Sequence, residues 1–552
     1  MSDIFRDSTL GAILNYATNG RLFPHPEQRP EWQLPDNLRP KEHSRDSDVK
    51  NRDKVAVVTA GSVTPTSRGS GELEKGAAAA PAAADDKLVV GWYDDNDQEN
   101  PMNWSLTKRC FVVAMTCLLT TSVYTGSGIY TASIPEIMEK FDCNQTTATA
   151  GLSLYVIAYG IGPMFLSPIS EIPSVGRREI YIITLIIFVA LQVPTLYANN
   201  IHTLLAMRFL AGFFGSPALA SGGATIQDMF HFIKLPYPMM LWSVTALCGP
   251  LLGPIMGGYA AAANGWKWPI YELLWLTGFT LIVLIFWYPE TNAETILLRR
   301  AKRIRARTGI EGLYSEGEVR QSHLKSTQVL YDSLLRPFQL MTEPVILYLN
   351  LYISLGYAIF YLWFEAFPVV YVDIYHFRLG SSGLPFLGLL FTAILTGICY
   401  LIYNKRVIEA TFLRTGAIIP ESRLTIALFA APFGPIALFM FGWTARENIH
   451  WMVPTIGAAL FLPGLLLIFQ GAVVYLPMSY PRYAASILAG NGMFRAVLGG
   501  AFPLFGRSLY TSLGVGGGCS LLAGITIAFW PGLWYLWRYG AKIRAKSKYA
   551  NF

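Results

Sequence analysis

The feature that most constrains this chain is a series of about a dozen apolar stretches, each near 20 residues long. One such stretch, coiled as a helix, crosses the roughly 30 Å hydrocarbon core of a bilayer. Hydrocarbon offers no partners to backbone amides, so helices that satisfy their own hydrogen bonds are the expected solution. Only 14% of the 552 residues are charged, against roughly 25% in a soluble domain. The sequence therefore predicts an all-α polytopic membrane protein.

The apolar stretches form two groups of six around a polar central segment. We predict spans at about 109–132, 149–169, 179–198, 202–224, 237–262, 268–288, 344–372, 382–403, 424–444, 451–478, 483–507 and 516–537. Five regions follow: an N-terminal tail (1–107), a first six-helix bundle (108–288), a central loop (289–343), a second six-helix bundle (344–537) and a basic C-terminal tail (538–552).

The N-terminal tail is polar, with 17 acidic against 12 basic residues over 1–107. Its opening has apolar residues at helical spacing, including Ile4, Phe5 and Leu10, which favours a short amphipathic segment on a membrane surface. The polar stretch that follows, which ends in an Ala/Pro run at 77–84, is typical of disorder. We expect a tail that is largely disordered beyond its opening.

Basic residues predict the orientation of the chain. Clusters of Lys and Arg at 299–307 and 538–548 follow the sixth and twelfth spans, whereas the loops on the other side are short and nearly uncharged. The positive-inside rule therefore puts both termini and the central loop in the cytoplasm. This topology leaves the sequon at Asn144 outside, where it could be glycosylated.

Charged side chains inside the spans are costly and therefore indicate function. Arg208 lies about two turns into the fourth span. The alternative to a functional role is that its long side chain extends to the outer membrane interface. Arg495 lies near the middle of the eleventh span, with Asn491 one turn earlier, and a structural role on neighbouring carbonyls stays open. Glu365, among aromatic residues of the seventh span, can bind a proton reversibly or sit at the external interface.

Three further patterns are candidates for function. Glycines at 249, 253 and 257 share one face of the fifth span and permit close helix approach, which an ordinary packing face would also explain. Glu171, a tight turn at Gly176 and Arg177 offer a carboxylate–arginine latch, with a solvated basic loop as the alternative. Aromatic and polar side chains predict a cavity for an organic ligand. The predicted cavity residues are Tyr124, Tyr130, Tyr159, Tyr357, Phe360, Tyr361, Asn491 and Arg495.

Several classes of protein are excluded. The sequence has no GxxxxGK[ST] loop, no HExxH and no clustered histidines, which argues against ATP-driven transport and against a membrane enzyme. The six cysteines are scattered singly, so neither a disulfide framework nor a zinc site is indicated. The basic loops are those of a membrane protein, and we expect no nucleic-acid partner.

Motifs across the chain resemble those of the major facilitator superfamily, and within it the twelve-span fungal drug:proton antiporters of the multidrug and cycloheximide-resistance type. They are Ser170-Glu171-Ile172-Pro173 with Gly176-Arg177, Arg208-Phe-Leu-Ala-Gly212, Gly253-Pro254 with Gly257-Gly258, and Pro420-Glu421 with Arg423. The resemblance implies the major facilitator fold, in which two pseudo-symmetric six-helix bundles enclose a cavity that opens alternately to each side.

The resemblance also implies roles for individual residues. Arg208, Asp228 and Glu365 would couple protons, and Glu171, Gly176 and Arg177 would gate the cytoplasmic side. The antiporter motif would comprise Gly249, Pro250, Gly253, Pro254, Gly257 and Gly258.

The expected function is a proton-coupled antiporter of the plasma membrane that exports hydrophobic or cationic organic compounds, such as antifungal drugs or toxic secondary metabolites. It would be a monomer in the lipid bilayer, powered by the proton gradient without a cofactor. The alternative is a narrow-substrate carrier for a polyamine, a sugar or a single secondary metabolite, because fold does not fix function.

Overall fold

The computed structural model describes residues 2–18, 20–35, 38, 88–322, 334–416 and 418–550. These residues contain eleven helical stretches that are long and apolar enough to cross a membrane. The structure therefore agrees with an all-α polytopic architecture. The predicted disorder around the Ala/Pro run at 77–84 lies outside the described residues.

The tail and first half contain helices α1 to α12 and two short strands. The tail has α1 (Ser2–Arg6), α2 (Thr9–Ala17) and β1 (Leu88–Val90). The membrane helices are α3 (Leu106–Gly128), α4 (Ile134–Phe141), α5 (Gln145–Ser170), α6 (Arg177–Leu196), α7 (Ile201–Gly215), α8 (Pro217–Met229), α9 (Pro236–Asn264) and α10 (Trp268–Trp287). The central segment has α11 (Ala293–Thr308), β2 (Leu313–Ser315) and α12 (Glu316–Ser322).

The second half contains helices α13 to α20. They are α13 (Pro344–Phe367), α14 (Phe386–Tyr403), α15 (Ala410–Thr415), α16 (Leu424–Ala430), α17 (Phe433–Thr444), α18 (Met452–Ala459), α19 (Phe461–Ser479) and α20 (Ala484–Arg544). At 1.5 Å per residue a 61-residue helix such as α20 would extend about 90 Å, three times the hydrocarbon core. Gly514, with φ 71° and ψ 161°, interrupts it and separates two arms. The count of twelve spans stays a prediction.

Two spans predicted as continuous are interrupted at prolines. The predicted fourth span consists of α7 and α8, which meet at Ser216 before Pro217. The predicted ninth span consists of α16 and α17, separated at Pro432. Proline lacks the amide that would continue the helical hydrogen bonds, so it favours the first turn of a new helix.

Small residues let the two halves approach each other closely. Helix α5 packs on α20, and α9 packs on α14. A Cβ on Gly160 would lie 2.2 Å from the Cβ of Ala496, and one on Gly500 would lie 2.7 Å from the carbonyl oxygen of Ser153. Close approach of this kind gives dense van der Waals packing between membrane helices.

A continuous set of contacts defines one end of the molecule, which we call the terminal face. In the second half, Arg544 pairs with Glu421, and Arg423 bonds Asn404 close by. In the first half, Lys234 and Tyr237 both bond Glu409 of the second half. The described parts of both chain ends and α11 lie at this face, and the other end is called the opposite face.

The N-terminal tail is attached to the terminal face. The backbone carbonyl of Asp7 accepts a 2.7 Å hydrogen bond from Arg178, and its carboxylate pairs with Lys108 at 3.0 Å. Strand β1 pairs in parallel with β2, a pairing that no sequence pattern indicated. Residues 2–18, 20–35 and 88–105 are folded against the protein, and disorder of the tail beyond its opening stays a prediction.

One arginine of α11 accounts for much of this attachment. Arg300 is fully buried and forms ion pairs with Glu27, Asp97 and Glu99 of the tail, at 3.1, 2.7 and 2.8 Å. Ionised groups that leave water need such partners, because an unpaired buried charge is strongly unfavourable. The tail acids and the basic helix after the sixth span thus form one electrostatic cluster.

Candidate functional site

Arg208 is inside the first bundle and does not reach the interface. Its side chain is 2% exposed, and it donates to the carbonyl oxygens of Gly126 (2.8 Å) and Gly151 (3.2 Å). Its guanidinium carbon lies 4.6 Å from the ring centre of Tyr130 and 4.4 Å from that of Tyr155. The cation is therefore held by carbonyls and by the faces of two aromatic rings.

The sequence around Arg208 explains how this position is reached. A Cβ on Gly212, one turn later in α7, would lie 2.3 Å from the carbonyl oxygen of Tyr155. Only glycine lets α7 come so close to α5. Tyr155 in turn donates to the carbonyl oxygen of Val123 at 2.6 Å, which joins α5 to α3.

Glu365 joins the two bundles. Its side chain is 4% exposed on α13, and its carboxylate accepts hydrogen bonds from Thr149 (3.1 Å) and Gln145 (3.3 Å) of α5. Arg208 contacts Gly151, two residues beyond Thr149 on the same helix. One short segment of α5 therefore separates the buried acid from the buried arginine.

Buried tyrosine hydroxyls connect the bundles deeper in the membrane. The hydroxyls of Tyr159 and Tyr357 lie 2.6 Å apart, and Tyr159 donates to Tyr361 at 3.1 Å. Ser127 on α3 lies 3.0 Å from the Tyr361 hydroxyl. The rings of Tyr124 and Tyr159 pack at 5.3 Å. These residues form an aromatic lining with its own polar network, which we call the tyrosine cluster.

The remaining predicted cavity residues occupy different surroundings. Phe360 packs on Tyr357 at 6.0 Å, whereas Tyr130 stacks on Arg208 within the first bundle. The guanidinium of Arg495 lies 5.0 Å from the ring centre of Tyr357 and 4.7 Å from that of Phe469.

Asn491 points elsewhere. Its side chain donates to Asn350 at 2.7 Å, near Met341 at the end of the chain segment that leads into α13. Phe469 was not predicted, because phenylalanine does not stand out in an apolar span. Asn350 was not predicted either, although a polar residue in the seventh span was a signal available in the sequence.

One of the predicted gating residues, Arg177, forms an ion pair with Asp228, an acid predicted for proton coupling. Arg177 donates to Asp228 through Nε (2.6 Å) and Nη2 (3.2 Å), at the terminal face. Asp228 therefore lies with Arg177, and about 30 Å of helix separates it from Arg208, 20 positions earlier. Glu171 is exposed beside this pair.

Glu290 completes the latch and was not predicted. Its carboxylate accepts the backbone amides of Arg177 (3.2 Å) and Arg178 (3.3 Å) at the start of α6, where the helix dipole favours an anion. A Cβ on Gly176 would lie 2.3 Å from its Oε2 atom, and Gly176 has φ 85°. An acid directly after the sixth span was the signal available in the sequence, but its partner is 113 residues away.

The antiporter glycines lie against α3. Each added Cβ would meet that helix or its continuation: Gly249 the Cβ of Tyr124 (2.6 Å), Gly253 the amide of Ile129 (2.3 Å) and Gly257 the carbonyl of Ile129 (2.7 Å). The reverse contact is equally close, since a Cβ on Gly128 would lie 2.1 Å from the carbonyl of Pro250. Gly258 faces the segment at Leu379, in the second half.

The described residues contain one group with metal-ligand spacing, His25, Glu27 and Glu99. Both carboxylates are already paired with Arg300 and Arg303, so the group belongs to the tail attachment. Asn144 is exposed and caps α5 by accepting the amide of Thr147 at 2.8 Å.

The membrane-length helices, the buried charges and the polar contacts between two halves are features of a membrane transporter. The family model of the Major Facilitator Superfamily matches residues 116–503. The chain belongs to this superfamily and, within it, to the fungal drug:proton antiporter family.

Individual relatives support this assignment. The cycloheximide resistance protein of Candida maltosa is 38% identical over 565 residues, and the alignment covers 100% of this chain and 100% of that protein. A probable drug/proton antiporter of Saccharomyces cerevisiae is 35% identical, over 83% of this chain and 89% of its own. The fold is similar to that of the human organic anion transporter MFSD10, with a TM-score of 0.50 and 14% identity over 77% of this chain and 99% of that one.

Proposed function

We propose that this protein is a proton-coupled efflux transporter that exports hydrophobic organic compounds, such as antifungal drugs or toxic secondary metabolites, by alternating access. The relatives named for cycloheximide resistance and for drug/proton antiport support this proposal. The main structural observation behind the proposal is the buried carboxylate of Glu365, which accepts hydrogen bonds from Thr149 and Gln145 of the other bundle.

A proton on Glu365 changes the contact between the bundles. The ionised carboxylate accepts two hydrogen bonds, whereas the protonated form has one donor and less acceptor capacity. The contact between α13 and α5 is therefore strongest in the ionised form. Protonation weakens closure at the opposite face, and this links proton binding to rocking of the bundles.

Arg208 transmits the charge state of this region within the first bundle. It binds the carbonyls of Gly126 on α3 and Gly151 on α5, both in helices that contribute to the tyrosine cluster. Asp228, Arg177 and Glu290 form the latch at the terminal face, with Gly176 making room for Glu290 and Glu171 exposed beside the pair. The stripe from Gly249 to Gly258 permits α3 and α9 to slide.

The orientation predicted from the basic residues is part of the proposal. The terminal face, with both tails and α11, would face the cytoplasm, and Asn144 would be glycosylated outside. We further propose twelve spans, with α20 counted as two, a monomer, and residence in the plasma membrane. No cofactor is needed, because the proton gradient supplies the energy.

A narrow-substrate carrier is the alternative on the same fold. A polyamine carrier needs several acids around its ligand, whereas Glu365 is the acid that α13 contributes and α3, α5 and α20 contribute none. The tyrosine cluster instead offers flat aromatic walls, which suit hydrophobic compounds.

The test is accumulation of radiolabelled cycloheximide in yeast cells that lack their own drug pumps. Cells with the wild-type chain should accumulate less than cells without it, and a protonophore should remove the difference. Arg208→Ala should behave like the empty cells at matched surface abundance. The control Arg446→Ala changes an exposed arginine and should behave like wild type. Accumulation that ignores both the protonophore and Arg208→Ala would contradict the proposal.

A further inference from the structure

Arg495 is a guanidinium in the middle of the molecule without a carboxylate partner. It lies on α20 between the rings of Tyr357 (5.0 Å) and Phe469 (4.7 Å), and its side chain is partly buried. Among the residues that the structure describes, it has no ion pair and no hydrogen bond. Its five N–H donors are therefore available to a ligand.

Most of the membrane helices contain no acid, and among the described residues none of the acids on the others forms an ion pair with Arg495. Helices α3, α5, α9, α14 and α16 to α20 contain no Asp or Glu. Asp228 pairs with Arg177 at the terminal face, and Glu365 bonds α5 toward the opposite face. Glu272 lies on α10, which packs against α3, α6 and α9 of the first bundle. No described acid neutralises the centre.

A second uncompensated cation adds to this field. Arg208 is also buried without an acid, held by carbonyls and by Tyr130 and Tyr155. Charges in a low-dielectric interior act more strongly and over longer distances than charges in water. The two arginines Arg208 and Arg495 outnumber the one buried acid Glu365, so this part of the described interior carries a net positive charge, which opposes entry of a cationic ligand and favours an anion.

The surroundings of Arg495 also define the shape of a ligand. Tyr357 connects it directly to the tyrosine cluster, where the buried hydroxyls of Tyr159 and Tyr361 bond one another. A planar conjugated molecule can stack on these rings while its carboxylate or phenolate accepts paired hydrogen bonds from the guanidinium fork. A quaternary or protonated amine could stack but would meet Arg495 as a like charge.

We infer that the central site selects planar organic anions over planar organic cations, and that Arg495 is the residue that recognises the negative group. The inference rests on the proposed function, because it assigns a substrate class to the cavity of an exporter. It replaces the cationic compounds of the range predicted from the sequence with anionic ones.

The experiment compares equilibrium binding of two dyes to the purified full-length protein in detergent, by fluorescence anisotropy at pH 7.5. Fluorescein and rhodamine 123 share a xanthene ring system but carry opposite charge. We expect fluorescein to bind about tenfold more tightly, and Arg495→Gln to reduce this ratio to within about threefold. Arg495→Lys keeps the charge and should retain most of the ratio at lower affinity.

A matched control is present on the same helix. Arg507 is 42% exposed and pairs with Asp373, so Arg507→Gln should leave the dye ratio unchanged. Equal or weaker binding of fluorescein by wild type, including no measurable binding, overturns the inference. An unchanged ratio in Arg495→Gln also overturns it. Binding needs no pH gradient, so this result is independent of whether export is coupled to protons.

Discussion

Arg177 and Asp228 are joined by two hydrogen bonds, of 2.6 and 3.2 Å, that connect the start of α6 to the end of α8. The backbone amide of the same arginine donates to Glu290, beyond the end of α10. One residue thus connects three membrane helices at the terminal face. A latch of this kind can open only if the ion pair breaks or moves as a unit.

The first prediction concerns this ion pair. Asp228→Asn leaves a largely buried guanidinium without its counter-ion and should destabilise the protein by about 3–5 kcal/mol. The double variant Arg177→Gln with Asp228→Asn should cost less than the sum of the single variants, by about 0.5–3 kcal/mol. Thermal unfolding of all four proteins in detergent measures this coupling. Additive effects would show that the pair contributes nothing as a pair.

The second prediction separates a steric effect from backbone strain at the turn before α6. Gly176 and Gly309 both have positive φ, 85° and 72°, but an added Cβ at Gly309 would meet nothing within 4 Å. Gly309→Ala should cost about 1–2 kcal/mol from the left-handed backbone alone. Gly176→Ala should cost clearly more, because its methyl group would displace Glu290 from the start of α6. Equal shifts in unfolding temperature would contradict this account.

The third prediction concerns the hydroxyl network between the bundles. Tyr159→Phe removes the hydroxyl that contacts both Tyr357 and Tyr361 and should destabilise the protein by about 1–3 kcal/mol, since buried partners lose a hydrogen bond. Cycloheximide binding should change as well. Tyr352→Phe is the control, because the Tyr352 ring stacks on Phe529 and its hydroxyl makes no hydrogen bond within the described chain. An equal effect of both variants would rule out a special role for the network.

The fourth prediction is that acid releases the N-terminal tail. Burial lowers the pKa of His25 below its ordinary value of 6.5. Burial alone would raise the pKa of Glu99, but a hydrogen bond to His25 and the charges of Arg303 and Arg300 hold it well below 4.5. Both groups bind fewer protons in the attached tail than in the free tail. Attachment therefore weakens as pH falls below about 6.5, and further below about 4.5.

Hydrogen exchange of the amides at 88–104 measures this release. Measured relative to the intrinsic exchange rate at each pH, exchange of these amides should accelerate between pH 7 and pH 5. His25→Gln should remove that step. Arg300→Gln leaves Glu27, Asp97 and Glu99 without their shared partner and should expose the segment at every pH. If protection of these amides from exchange stays constant down to pH 4, attachment of the tail does not depend on the charge states of His25 and Glu99.

Local patterns predicted much of this structure. The spans, the inward position of Arg208 and the contact face of Gly249, Gly253 and Gly257 depend on periodicity and on the cost of a charge in hydrocarbon, which the sequence itself contains. The presence of charged and aromatic residues inside the membrane could be predicted in the same way.

Partners distant in sequence could not be predicted. Glu290 meets Arg177 across 113 positions, and Arg300 meets Asp97 across 203, so no sequence spacing reveals either pair. Asn491 was predicted beside Arg495 from helical spacing, yet it bonds Asn350. The strands β1 and β2 are three residues each, too short for any periodicity to be recognised.

The central claim is that export is driven by protons through Glu365. The most direct measurement uses proteoliposomes that contain a pH-sensitive dye, to which cycloheximide is added in the absence of a pH gradient. Wild-type protein should move protons against the flow of cycloheximide. Glu365→Gln, which keeps an acceptor for Thr149 but cannot ionise, should transport without moving protons or not at all. Cycloheximide transport by wild type without a proton signal, or a proton signal that persists in Glu365→Gln, would contradict the account.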